Sequence, residues 1–119
     1  MARVLVVDDT QFMRAVIGGI LRSAGHEVVG EARNGDEAVD LFQKLRPELT
    51  TLDITMPERD GLAALRDIIF LDPHAIVVMC SARGQQSEVI QAIRLGAKDF
   101  VVKPVVPERL IEAIDKALG

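Results

Sequence analysis

Val4-Leu5-Val6-Val7 runs directly into Asp8-Asp9, and beyond Thr10 the apolar period changes. A short unbroken β-branched run suits a strand covered on both faces, as in a parallel sheet. Phe12, Met13, Val16, Ile17, Ile20, Leu21 and Ala24 then recur at helical spacing, with Thr10 placed to cap the start and Gly25 to stop the end. The unit is strand, polar break, helix, and it recurs along the chain. Residues 27–32 read as a shorter, more exposed strand, which Asn34-Gly35-Asp36 turns into a helix carrying Ala38, Val39, Leu41, Phe42 and Leu45, closed before Pro47. Residues 48–52 form a strand ending at Asp53. A loop over 56–61 leads to a helix on Leu62, Leu65, Ile68, Ile69 and Leu71, stopped by Asp72-Pro73. Residues 75–80 are the second clear buried strand, ending at Ser81, and Val89, Ile90, Ile93 and Leu95 mark a fourth helix closed by Gly96. Phe100-Val101-Val102 is a short strand ending at Lys103-Pro104. Pro107 suits the first turn of a last helix on Leu110, Ile111, Ile114 and Leu118. Five βα units with short connections predict an α/β fold, a parallel sheet with helices on both faces.

Composition narrows the function. The 119 residues are expected to form one domain, 1–119, with no linker, repeat or low-complexity segment. Lys+Arg number 14 against 18 Asp+Glu, a formal net charge of −4, which disfavours electrostatic binding to nucleic acid or an anionic membrane. A single cysteine excludes an internal disulfide framework and a Cys-rich zinc site. No stretch approaches the roughly 20 apolar residues of a membrane span, and the apolar run after Arg3 is too short for a signal-peptide core. The cytoplasm is the expected location. Trp and Tyr are absent and Phe numbers 4, so stacking on bases or a flavin has little support. There is no GxGxxG or GxxxxGK stretch, so a nucleotide-binding loop has no support either.

Parallel strands place their C-terminal ends along one edge of the sheet, where open α/β sheets bind ligands. The residues leaving those ends are Asp8-Asp9, Asp53, Ser81 and Lys103. If the first strand lies beside the third, three carboxylates meet and repel one another unless something positive is present. A hard divalent cation such as Mg²⁺ is the natural neutraliser. Lys103 adds a fixed positive charge and Ser81 a hydroxyl, completing an inventory able to hold a phosphoryl group.

These residues carry a resemblance. Val6-Val7-Asp8-Asp9, Leu52-Asp53-Ile54-Thr55-Met56-Pro57 with Asp60-Gly61, Ser81-Ala82, Gly96-Ala97-Lys98-Asp99-Phe100 and Lys103-Pro104, in this order over the whole chain, resemble a response-regulator receiver domain. Asp53-Ile54-Thr55-Met56-Pro57 and the run Cys80-Ser81-Ala82-Arg83-Gly84-Gln85-Gln86 look closest to the single-domain chemotaxis type. The resemblance implies a flavodoxin-like five-stranded sheet in the order 2-1-3-4-5. It implies phosphorylation of Asp53 by a CheA-like histidine kinase, with Mg²⁺ (or Mn²⁺) held by Asp8, Asp9, Asp53 and the Thr55 backbone carbonyl. Ser81 and Lys103 would contact the phosphoryl group, and Phe100 would occupy the switch-aromatic position, turning inward as Ser81 moves. The Lys103-Pro104 bond would be cis. The output would be a protein-binding face built from the fourth helix, fifth strand and fifth helix. Its partner would be a component such as the flagellar motor switch, with a phosphatase as a further partner and the chain itself a monomer. It would catalyse only its own aspartyl phosphorylation and dephosphorylation.

Other readings stand beside this one. Asp9 could instead cap the helix that starts near Thr10, and Thr55 could be a plain turn residue. A phosphorelay intermediate or the isolated receiver of a larger regulator would share the same site; the rim near Arg83 and Thr55 would decide between a relay intermediate and a motility switch. A Mg²⁺-dependent aspartyl phosphatase would place D-x-D-x-T after the first strand, whereas here adjacent aspartates stand there. Cys80 reads as an inert buried thiol, His26 and His74 as surface residues, and the methionines as core and loop filler.

Overall fold

The computed structural model describes residues 1–82 and 86–119; the Arg83 rim position, with Gly84 and Gln85, lies outside the described residues. The chain alternates β1 (Arg3–Val7), α1 (Gln11–Ser23), β2 (Glu27–Ala32), α2 (Gly35–Leu45), β3 (Leu49–Leu52), α3 (Gly61–Leu71), β4 (Val77–Ser81), α4 (Gln86–Leu95), β5 (Asp99–Val102) and α5 (Pro107–Leu118). The strands form one parallel sheet in the order β2-β1-β3-β4-β5. The fold is therefore the flavodoxin-like five-stranded arrangement expected from the chain.

Alternation along the strands divides the core. Val4 and Val6 of β1 face one side with Ile17 and Leu21 of α1 and Leu110, Ala113 and Ile114 of α5. Leu5 and Val7 face the other, with Phe42 of α2, Leu65 and Ile68 of α3 and Ala92 of α4. Both faces of β1, β3 and β4 are covered, which is why β1 and β4 read as continuous apolar runs rather than alternating ones, while β3, Leu49-Thr50-Thr51-Leu52, is equally buried but carries two threonines.

Register positions the site. Val7 pairs with Leu52, and the Asp53 backbone N–H donates to Val7 O at 3.1 Å. The residues following β1 and β3 therefore leave the sheet side by side. Ser81 pairs with Val102, and Lys103 N–H donates to Ser81 O at 3.0 Å, so the ends of β4 and β5 are aligned as well.

Beyond shifts of one or two residues at the ends of β3 and β4, two local expectations change. Helix α4 begins at Gln86, three residues ahead of its first apolar member, because Gln86-Ser87-Glu88 form a polar first turn that hydrophobic periodicity does not register. His26 is not a surface residue. It is 9% exposed, and its Nδ1 accepts the Ala2 backbone N–H at 3.0 Å, satisfying an amide at the start of β1. His74 is exposed, as expected.

Candidate functional site

Asp8 leaves β1 fully buried, and every polar group it carries is engaged. Its N–H donates to Ala32 O at 3.0 Å. Its Oδ1 accepts from the Thr10 N–H at 3.0 Å and the Thr10 hydroxyl at 3.2 Å, and its Oδ2 lies 2.6 Å from Lys103 Nζ. Thr10 in turn caps α1, its hydroxyl accepting the Met13 N–H at 3.2 Å. The cap is thus Thr10, and Asp9 is not needed for it. Asp9 is exposed and makes no hydrogen bond or ion pair among the described residues. It opens onto a polar pocket of about 350 Å³ shared with Arg33, Asn34, Glu37, Pro57 and Glu58.

Asp53 follows β3 and is 4% exposed. Its Oδ1 accepts the Ile54 N–H at 2.8 Å, and its Oδ2 stands 3.5 Å from Lys103 Nζ. Burial raises the Asp53 pKa above the usual 3.8. Lys103 opposes that rise and the Asp8 charge adds to it, while hydrogen bonds from Ser81 and Ile54 hold it down without cancelling it. Helix α3 starts hard against this strand end. A Cβ on Gly61 would fall 1.8 Å from the Asp53 carbonyl oxygen, and the Gly61 N–H donates to Ile54 O at 2.7 Å. Only a glycine lets the helix approach Asp53 so closely.

Lys103 comes from the end of β5 and bridges the two buried carboxylates. Burial pulls its pKa down, but the hydrogen bond to Asp8 and the charges of Asp53 and Asp8 outweigh this and leave it above 10.5. The Lys103–Pro104 peptide is cis. Ser81 is buried at the end of β4 and bonds the Asp53 carboxylate. Thr55 is exposed on the loop beyond Asp53. Phe100 is already packed inward at 8% exposure, within the core cluster on the α2–α3–α4 side.

One oxygen from each of Asp8, Asp9 and Asp53 lies within 4.8 Å of the others. The donor set is all oxygen and carries three negative charges against the single ammonium of Lys103. Two of the three carboxylates are buried. Such a set suits a hard divalent cation and offers nothing to a soft one.

Two contributors went unread in the sequence. The Asp8-to-Thr10 bond is an Asx turn, and its i, i+2 pattern is a signal that could have found it. Arg14, whose Nη1 donates to Asp8 O at 2.8 Å and whose Nε bonds Glu31 at 3.0 Å, was not legible, because the contact depends on how α1 packs over β2.

The geometry of two buried acids, a third acid at the rim and a bridging lysine at the ends of parallel strands matches a known family. Residues 4–115 fit the response regulator receiver domain profile. The chain belongs to the response regulator receiver family. It is 53% identical to the chemotaxis protein CheY of Thermotoga maritima over 96% of this chain and 95% of that protein. It is equally identical to protein CcdB of Bacillus subtilis over 100% of this chain and 99% of that one. Among solved structures it superposes with TM-score 0.96 on the CheX–CheY–BeF3–Mg complex from Borrelia burgdorferi, at 34% identity over 98% of this chain and 89% of that one. This receiver is CheY-like and a component of two-component signalling, a class that lies outside the classical enzymes. No helix among its described residues is long and apolar enough to cross a membrane.

Proposed function

We propose that residues 1–119 act as one receiver unit whose Asp53 accepts a phosphoryl group from a phosphohistidine of a CheA-like histidine kinase. The observation that carries this is the convergence on Asp53 of one bridging cation, one hydroxyl and two further carboxylates. A carboxylate oxygen of Asp53 forms the new P–O bond while the P–N bond breaks and its electron pair leaves with the imidazole. Lys103, freed in part from Asp8, pairs with a phosphoryl oxygen, and the Ser81 hydroxyl donates to another. Asp8, Asp9, Asp53 and the Thr55 backbone carbonyl would hold Mg²⁺ (or Mn²⁺), which when bound offsets the negative charge of both carboxylates and phosphoryl oxygens.

The output in this reading is a change in the face formed by α4, β5 and α5, where Ile90 and Ile93 of α4, Val102 of β5 and Val106 at the start of α5 are exposed. A flagellar motor switch component would read it in the cytoplasm, and a phosphatase would reset it. The structural neighbour from Borrelia burgdorferi, a CheX–CheY complex, supports a protein partner. Catalysis is confined to the chain's own aspartyl phosphate.

The test is transfer of labelled phosphate from a CheA-like kinase, or from acetyl phosphate, to wild type and Asp53→Asn in the presence of Mg²⁺. Label on wild type alone, with circular dichroism unchanged in the variant, is expected. Equal labelling of Asp53→Asn overturns the assignment.

A further inference from the structure

Asp9 poses a positioning problem. Its side chain is exposed and makes no hydrogen bond or ion pair among the described residues, so nothing at the carboxylate itself fixes where it points. The backbone from which it departs is set by the peptide unit that joins it to Asp8. The N–H of Asp8 is held by Ala32 O, which anchors the preceding peptide. The Asp8 carbonyl belongs to the same plane as the Asp9 N–H. Among the described residues it accepts one hydrogen bond, from Arg14 Nη1 at 2.8 Å. Because a peptide unit is rigid, holding its oxygen fixes the plane from which Asp9 departs.

The Arg14 guanidinium is itself held. Its side chain is 15% exposed, and Nε bonds Glu31 Oε1 at 3.0 Å. Glu31 lies on β2 opposite Val6 of β1, so the brace connects α1, the end of β1 and the neighbouring strand. The planar fork of arginine serves both oxygens at once, which a lysine ammonium on a flexible stem does less well.

We infer that Arg14, braced by Glu31, is a positioning residue that orients Asp9 for cation binding; this rests on the reading of Asp9 as a metal ligand given above. Charge alone makes the opposite prediction. A guanidinium beside three carboxylates repels a divalent cation, so removing it should tighten binding if Arg14 acted only as a charge. Positioning predicts weaker binding.

The experiment is Mg²⁺ titration of the full chain by calorimetry for wild type, Arg14→Ala and Arg14→Lys. Thermal unfolding and the metal-free ¹H–¹⁵N signal of Asp9 are followed in parallel. Arg14→Ala should bind Mg²⁺ about tenfold more weakly, within the range typical of residues that orient a metal ligand, and should shift the Asp9 amide signal before any metal is added. Arg14→Lys keeps the charge and is the variant that guards against misfolding; it should lose less affinity, in the same direction. Unchanged or tighter Mg²⁺ binding by Arg14→Ala, even with a lowered melting temperature, overturns the inference while leaving the metal site standing. Failure of wild type itself to bind millimolar Mg²⁺ overturns the metal site and this inference with it.

Discussion

Replacing Lys103 by methionine removes the one cation between two buried carboxylates while keeping an apolar stem of similar length. Asp8 is fully buried and would retain only the Thr10 N–H and hydroxyl as donors. Truncating one partner of a buried ion pair costs roughly 3–5 kcal/mol, because the survivor is left charged and dry. The Lys103 side chain is 16% exposed, so water can partly replace it, and the low end, about 3 kcal/mol, applies. Lys103 has a folded pKa above 10.5. Its stabilisation is therefore fully present below that value and is lost only as pH rises through the folded pKa, so the deficit of the variant is constant across neutral pH. Intrinsic fluorescence is no help without Trp or Tyr, so urea unfolding is followed by far-UV circular dichroism in chelator-treated buffer. With a slope near 1.5–2 kcal/mol/M, the midpoint of Lys103→Met should fall by roughly 1.5–2 M. Added Mg²⁺ should narrow the gap, since a cation bound by the carboxylates supplies the charge that was removed. A metal-free midpoint equal to that of wild type, with an unchanged slope, refutes the argument that Lys103 neutralises the cluster.

Two further outcomes follow from charges elsewhere. Burial, chiefly, pushes the Cys80 thiol up to about 12, so in mildly alkaline buffer the native protein should resist an aromatic disulfide reagent that reacts at once in denaturant; fast native labelling would contradict the packing of β4. Burial raises the Asp99 pKa, but hydrogen bonds from Arg109 and the Phe100 N–H outweigh it and hold Asp99 below 3.8. That contribution is present above 3.8 and lost as pH falls through the folded value. Arg109→Ala should therefore cost about 0.5–1 kcal/mol at neutral pH, a modest sum because the pair is partly exposed, and move acid unfolding to higher pH. An acid transition unmoved in Arg109→Ala would show that Asp99 titrates normally.

The sheet was legible because β1 and β4 are covered on both faces and so spell themselves as apolar runs, and because each run ends in a polar residue; β3, Leu49-Thr50-Thr51-Leu52, is no apolar run and was placed by its length and by Asp53 after it. The assembly of Asp8, Asp9, Asp53, Ser81 and Lys103 at one edge follows from parallel strands alone, once β1 and β3 are neighbours. An aspartyl phosphatase arrangement loses ground for the same reason, since the buried acid held by Lys103 and Ser81 follows β3 rather than β1. What did not show was anything decided by packing across elements. His26 looks like a surface histidine until Ala2 is brought to its ring. Arg14 looks like one basic residue on an amphipathic helix until α1 lies over Glu31. For Phe100 the sequence left a packed core aromatic and a switch position open together, and its inward setting was decided only by packing within the core cluster.

The Lys103–Asp8 contact joins residues 95 positions apart, the first βα unit to the last. No contiguous fragment short of almost the whole chain contains both. In a nascent or partly unfolded chain with β5 undocked, Asp53 sits beside acids with no fixed cation, and the inventory for holding a phosphoryl group is incomplete. Under the proposed phosphotransfer, competence to take up a signal would thereby be tied to completion of folding, and immature copies would draw nothing from the pool of phosphorylated kinase.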